Sequence, residues 1–192
     1  SELTSALSYV HSRRILHRDI KTANVFLTAD ACQHVKLGDF GVSRALSTET
    51  NLAETMCGTP YYLSPELIRG QPYAEPADVW ALGVILFELL ALRRPFSAPN
   101  GALGALVMRI TQGDSEMAPL RACAHPWWLI CLVDRELPGE RKLPPTAAPR
   151  LLDLDPARRL TLESLRYGLA RCACAVRPPQ GAHRRGPAPR AA

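Results

Sequence analysis

No stretch of this 192-residue sequence is long and apolar enough to cross a membrane as a helix. The longest apolar run, residues 79–92, covers 14 positions and contains Glu88, short of the roughly 20 that a bilayer demands. It reads as a core helix. C-x-x-C pairs are missing as well. The six cysteines, at 32, 57, 123, 131, 172 and 174, are scattered, and Cys172 with Cys174 lacks the histidine spacing of a metal site. No secretory leader opens the sequence, so a reduced, intracellular and cytoplasmic setting is expected. Internal repeats are absent. The formal charge is +5, but residues 177–192 hold four arginines and no acid, and removing those four charges leaves +1. So weak a field, with no aromatics among the tail arginines, argues against a nucleic-acid partner.

What is present is ample apolar material, 47% of the chain, enough for one good-sized domain. One region is dense in chemistry. Residues 16–27 read LHRDIKTANVFL, and residues 35–41 read VKLGDFG. Two short apolar strands, 25–27 and 35–37, flank a turn around 28–34. A hairpin of those strands brings Asn24 and Asp39 to the same end. Two facing oxygen donors suit Mg²⁺, a hard cation that shares its ligands with phosphate. Asp19 and Lys21 then lie within reach of whatever phosphate the metal holds.

H-R-D-x-K-x-x-N followed by D-F-G resembles the catalytic and metal-binding loops of protein kinases. The run 58–66, GTPYYLSPE, resembles the end of a kinase activation segment, with Ser-Pro-Glu replacing the commoner Ala-Pro-Glu. DIKTANVFL, KLGDFGVSR and GTPYYLSPEL together are most similar to the NIMA-related (Nek) serine/threonine kinases. The resemblance covers residues 3–112 and 151–166. It implies a mainly α fold with small β-hairpins, the kinase large lobe, over residues 1–176. Residues 177–192 are read as a disordered Pro/Arg-rich tail. No G-x-G-x-x-G loop, strand lysine in a V-A-I-K context or partner helix glutamate occurs, so the chain looks like a large lobe without its small one.

The resemblance also implies roles. ATP and Mg²⁺ are the expected cofactors, and protein hydroxyls the substrates. Asp19 is the expected catalytic base and Lys21 the stabiliser of phosphoryl charge. Thr59 bridges those two and, with Lys21, points to serine/threonine acceptors. Asn24 and Asp39 are the expected Mg²⁺ ligands, and Phe26 either floors the adenine or is plain core. Thr55, four before Thr59, matches the usual phosphorylation position, where a phosphate would meet Arg18 and Arg44. His17 is expected to pack on Phe40. Ala23 stands where arginine-selecting kinases often carry glutamate, and Val42 implies a lean towards threonine.

Helices are expected over residues 2–12 and 102–112 from their apolar spacing, and over 76–92 from a run hydrophobic almost all round. Trp80, Ile85 and Leu89 are the expected core anchors of this last helix. Asp78 is read as its N-cap and as the acceptor of backbone N–H groups from residues 17–19. Arg159 is expected to pair, half-buried, with Glu66. Residues 118–150, broken by six prolines around WWLICLV, match no family pattern. They read either as irregular packing or as sequence from a wrongly joined frame. One other class stays open, a non-catalytic kinase-lobe binding module; nucleic-acid binding through the tail arginines rests on four charges and no interleaved aromatics, and no such partner is expected. Nothing in the residues sets an oligomeric state.

Overall fold

A computed structural model describes residues 2–29, 34–40, 44–45, 60–122, 124–133 and 150–175. Helix α1 (Glu2–Ser12) leads into strand β1 (Ile15–Leu16), a 3₁₀ turn over Thr22–Asn24, and strands β2 (Val25–Leu27) and β3 (Val35–Leu37). Strand β4 (Arg44–Ala45) is followed by helices α2 (Pro65–Ile68), α3 (Glu75–Ala91), α4 (Leu103–Gln112), α5 (Ala118–Arg121), α6 (Trp127–Ile130) and α7 (Leu162–Ala175). β2 and β3 form the expected antiparallel hairpin, Val25 opposite Leu37. β1 instead pairs antiparallel with β4. Among the described residues no helix is long and apolar enough to cross a membrane.

Helix α3 is the centre of the molecule. Its apolar residues enter all four hydrophobic clusters: Val79, Leu82 and Ile85 meet Leu7 of α1 and Leu165 of α7, while Trp80 and Val84 meet Phe96 and Ile110. Phe87 and Leu90 meet Leu120, Ile130 and Val133, and Ala77 meets Leu16 and Tyr73. A helix apolar on nearly every face is stable only when enclosed this way. Residues 118–121 and 127–130 therefore form two short helices packed against α3 through Leu120 and Ile130, and the prolines at 119 and 126 sit at or just before helix starts, where a missing N–H costs nothing.

Two expectations about α3 are corrected. Leu89 is not a core anchor; it is 63% exposed, because a continuous apolar run gives periodicity no phase. Asp78 is not the N-cap; the helix starts at Glu75 with Ala74 in that place, and Asp78 lies a turn further in. The helix ends where Leu92 takes a left-handed φ of 52°, three residues before Pro95.

Arg159 and Glu66 join the end of the chain to α2. The pair is fully enclosed, not half-buried: Arg159 is 4% and Glu66 5% exposed. Nη1 and Nη2 donate to Oε1 and Oε2 at 2.6 and 2.9 Å. Nε and Nη1 also donate to the carbonyls of Asp153 and Pro76 at 2.9 and 2.8 Å. Burial pushes the Glu66 carboxyl up, but the Arg159 hydrogen bonds and charge outweigh it and hold the group below its usual 4.5. A depressed carboxylate contributes stability that is complete above the unfolded value and is lost as pH falls through the folded one.

Glu66→Gln is expected to cost about 3–5 kcal/mol at pH 7, since the arginine is left as an uncompensated buried charge. In urea unfolding the gap to the parent should narrow below pH 4.5, the ordinary value of this carboxyl. A second test concerns Gly83, where a Cβ would lie 2.7 Å from the Leu151 Cβ and 2.9 Å from Leu152 Cδ2. Gly83→Ala gains about 1 kcal/mol of helix propensity, but overpacking costs about 1–3 kcal/mol. Urea midpoints should therefore fall.

Candidate active site

The site is built on the loop between β1 and β2. Its backbone is tied to α3 through Asp78, which is fully buried. Oδ2 accepts the His17 N–H at 3.1 Å and His11 Nε2–H at 2.7 Å. Oδ1 accepts the Arg18 N–H at 3.2 Å and the Tyr73 hydroxyl at 2.7 Å. The expected reception of loop amides by Asp78 is thus present. Burial, reinforced by the Asp78 charge, pushes the Tyr73 phenol well above its ordinary value, so it stays a donor.

His17 is also fully buried. Its ring packs on Phe40 with centroids 4.6 Å apart, as expected. Nε2–H donates to the Gly38 carbonyl at 3.1 Å, and Nδ1 accepts the Asp19 N–H at 3.4 Å. One imidazole therefore joins the catalytic-type loop to the segment carrying Asp39.

The three polar side chains of the loop converge. Lys21 Nζ lies 2.6 Å from Asp19 Oδ2. Asn24 Nδ2 donates to the same Oδ2 at 2.9 Å and to the Asp19 carbonyl at 2.8 Å. Asn24 is buried, and spending its NH₂ on Asp19 leaves Oδ1 as the atom for a cation. The hairpin continues one step past β2 and β3, with the Gly38 N–H donating to the Asn24 carbonyl at 3.0 Å. Asp39 follows directly, in a left-handed conformation with φ 59°. The backbone thus brings positions 24 and 39 to one end of the hairpin. Among the described residues no group of three His, Cys, Asp or Glu side chains could hold a metal. An amide and a carboxylate in this place fit a Mg²⁺ ion that takes its other oxygens from phosphate and water.

Phe26 is 53% exposed on β2, which overturns its reading as plain core. Its ring covers Gly38, where a Cβ would come within 2.6 Å of it. Thr55, Thr59 and Val42 lie outside the described residues, as does the Arg44 side chain.

The sequence reading missed four contributors. His11 lies four after Leu7, on the buried face of α1, yet nothing local shows that it meets Asp78. Tyr73 is likewise found only in space. Tyr62 and Glu88 form the third and fourth: the Tyr62 hydroxyl donates to Glu88 Oε2 at 2.7 Å and sits 2.9 Å from Thr22 Oγ1. Burial pushes the Tyr62 phenol up, and the Glu88 carboxylate adds to this against the opposing Thr22 bond.

Comparison with known proteins matches residues 1–167 to the protein kinase domain. The chain is 50% identical over 121 residues to the probable serine/threonine-protein kinase nek3 of Dictyostelium discoideum, covering 62% of this chain and 11% of that protein. It is 49% identical over 113 residues to the serine/threonine-protein kinase Nek1 of Mus musculus, covering 59% and 9%. With Nek9 of Mus musculus it shares 44% over 153 residues, covering 80% and 15%. The chain therefore spans less than a sixth of these relatives. With the buried loop anchor and the charged cluster on Asp19 both inside the matched residues, this chain belongs to the protein kinase family, and the relatives it is similar to are Nek serine/threonine kinases.

Proposed function

We propose that this chain carries the phosphoryl-transfer site of a serine/threonine protein kinase, with ATP and a protein hydroxyl as substrates. The observation that carries the reading is the shared Asp19 Oδ2, which receives Lys21 Nζ and Asn24 Nδ2 at 2.6 and 2.9 Å. With one oxygen occupied, the carboxylate presents its other oxygen to an incoming serine or threonine. Asp19 orients that hydroxyl and accepts its proton, a role generally worth ~10²–10⁴-fold. The hydroxyl oxygen forms a bond to the γ-phosphorus as the bond to the ADP oxygen breaks. Lys21 stabilises the charge on the group in transit, and Thr59 is the proposed bridge between Lys21 and Asp19. Asn24 and Asp39 would hold Mg²⁺, which neutralises phosphate charge when bound. Phe26, exposed on β2 beside these residues, would lie against the adenine. Residues 1–176 are the large-lobe part of the domain in this reading.

Thr55 is the proposed switch, its phosphate paired with Arg18 and Arg44. Support comes from Arg18: its Nε is buried without a partner among the described residues, a donor awaiting an acceptor.

The test has two arms. Mg-ATP should raise the melting temperature of the chain, and Asp39→Asn should abolish the rise. Radiolabelled phosphate should enter a threonine peptide with the parent chain and not with Asp19→Asn. Stabilisation without incorporation at high protein concentration would instead favour a nucleotide-holding, non-catalytic binding module. Absence of both effects would overturn the reading.

A further inference from the structure

Beside Asp19 opens a cavity of about 330 Å³, walled by loop residues 18–23, by residues 60–63 and by Arg94. Four charged side chains line it: Arg18, Asp19, Lys21 and Arg94. Asp19 and Lys21 are paired with each other. Arg94 follows the end of α3, and its guanidinium carbon lies 3.7 Å from the centroid of the Tyr61 ring. Its Nε donates to Glu88 Oε1 at 3.3 Å. The remaining oxygen of Glu88 takes the Tyr62 hydroxyl at 2.7 Å. Both carboxylate oxygens are therefore engaged from within the chain, and the Glu88 side chain is only 15% exposed. Ala23, on the same wall, adds no acid.

Among the described residues, a peptide entering this cavity meets guanidinium groups and no disengaged carboxylate other than the one oxygen of Asp19 that serves the acceptor hydroxyl. Arg94 is held from two sides, on an aromatic face and by an acid, so little rotamer freedom is lost when it binds a further group. Its side chain is still 45% exposed, so it stays within reach of an approaching substrate. A guanidinium so fixed presents a planar fork to a carboxylate.

We infer that Arg94 is a specificity-determining residue, which makes the groove beside Asp19 accept acidic side chains near the acceptor hydroxyl and repel basic ones. This rests on the kinase reading of the site. Replacing Arg94 by an acid would put a carboxylate beside Glu88 on this wall, so with that substitution the preference should reverse and not merely fade.

Fluorescein-labelled threonine peptides carrying a single Glu or a single Arg, scanned through the positions on either side of the threonine, test this by anisotropy. For the parent chain, the Glu peptide should bind about threefold tighter than its Arg counterpart at one or more positions, the size of a partly exposed ion pair. The difference should shrink with added salt. Arg94→Ala should lose it, and Arg94→Glu should invert it. Equal binding of the two series, a parent preference for Arg, or a preference untouched in both variants would overturn the inference. Phosphate incorporation into the same peptides is scored separately. A preserved preference without incorporation would sink the catalytic reading and leave the recognition surface standing.

Discussion

The buried carboxylate of Asp78 is the constraint on which the rest of the structure depends. It accepts from two backbone amides, one imidazole and one phenol. Two of those donors, His17 N and Arg18 N, belong to a loop that would otherwise spend its polar backbone on water. Arg18 has a left-handed φ of 69°, a conformation costing a non-glycine residue about 1 kcal/mol or more. Its N–H bond to Asp78 offsets that strain. Fixing residues 17 and 18 in turn fixes Asp19, the next residue, and the side chains gathered on it.

Rigidity at the site is thus borrowed from the core. Asp78 stands in the first turns of α3, and α3 is held on its apolar faces by four separate clusters. The Arg159–Glu66 pair performs a parallel task at the same end of α3, fastening α2 and the residues before α7 to its start through the Pro76 carbonyl. A buried ion pair is weak evidence for net stability, but it is intolerant of misregister, since a lone buried charge is costly. The chain ends up with a polar loop seated on an apolar helix, and the loop has few other ways to fold.

Much of this was legible in the residues. The hairpin follows from an apolar triplet, Val25 to Leu27, and an alternating one, Val35 to Leu37, around a turn, and pairing Val25 with Leu37 places positions 24 and 39 together. Helix α1 follows from its apolar spacing. The phase of α3 did not, since Leu86, Leu89 and Ile85 are equally apolar and only packing separates them. His11 and Tyr73 were invisible for a related reason: a histidine and a tyrosine carry no mark of the carboxylate they will meet, and His11 is 67 residues from Asp78. Prolines 119 and 126 looked like breaks because proline both ends and begins helices, and only Leu120, Ile130 and Val133 in the core show which applies.

The central claim is that Asp78 holds the catalytic-type loop. An asparagine in its place keeps the volume but turns one oxygen into an NH₂ that must face two donors whichever way it points. Native-state hydrogen exchange of the His17 and Arg18 amides, read in the parent chain and in Asp78→Asn, tests the claim directly. The account predicts strong protection in the parent and a loss of about tenfold or more in the variant, the value of a charged hydrogen bond, with the β2–β3 amides much less affected. Equal protection of residues 17 and 18 in both chains would contradict it.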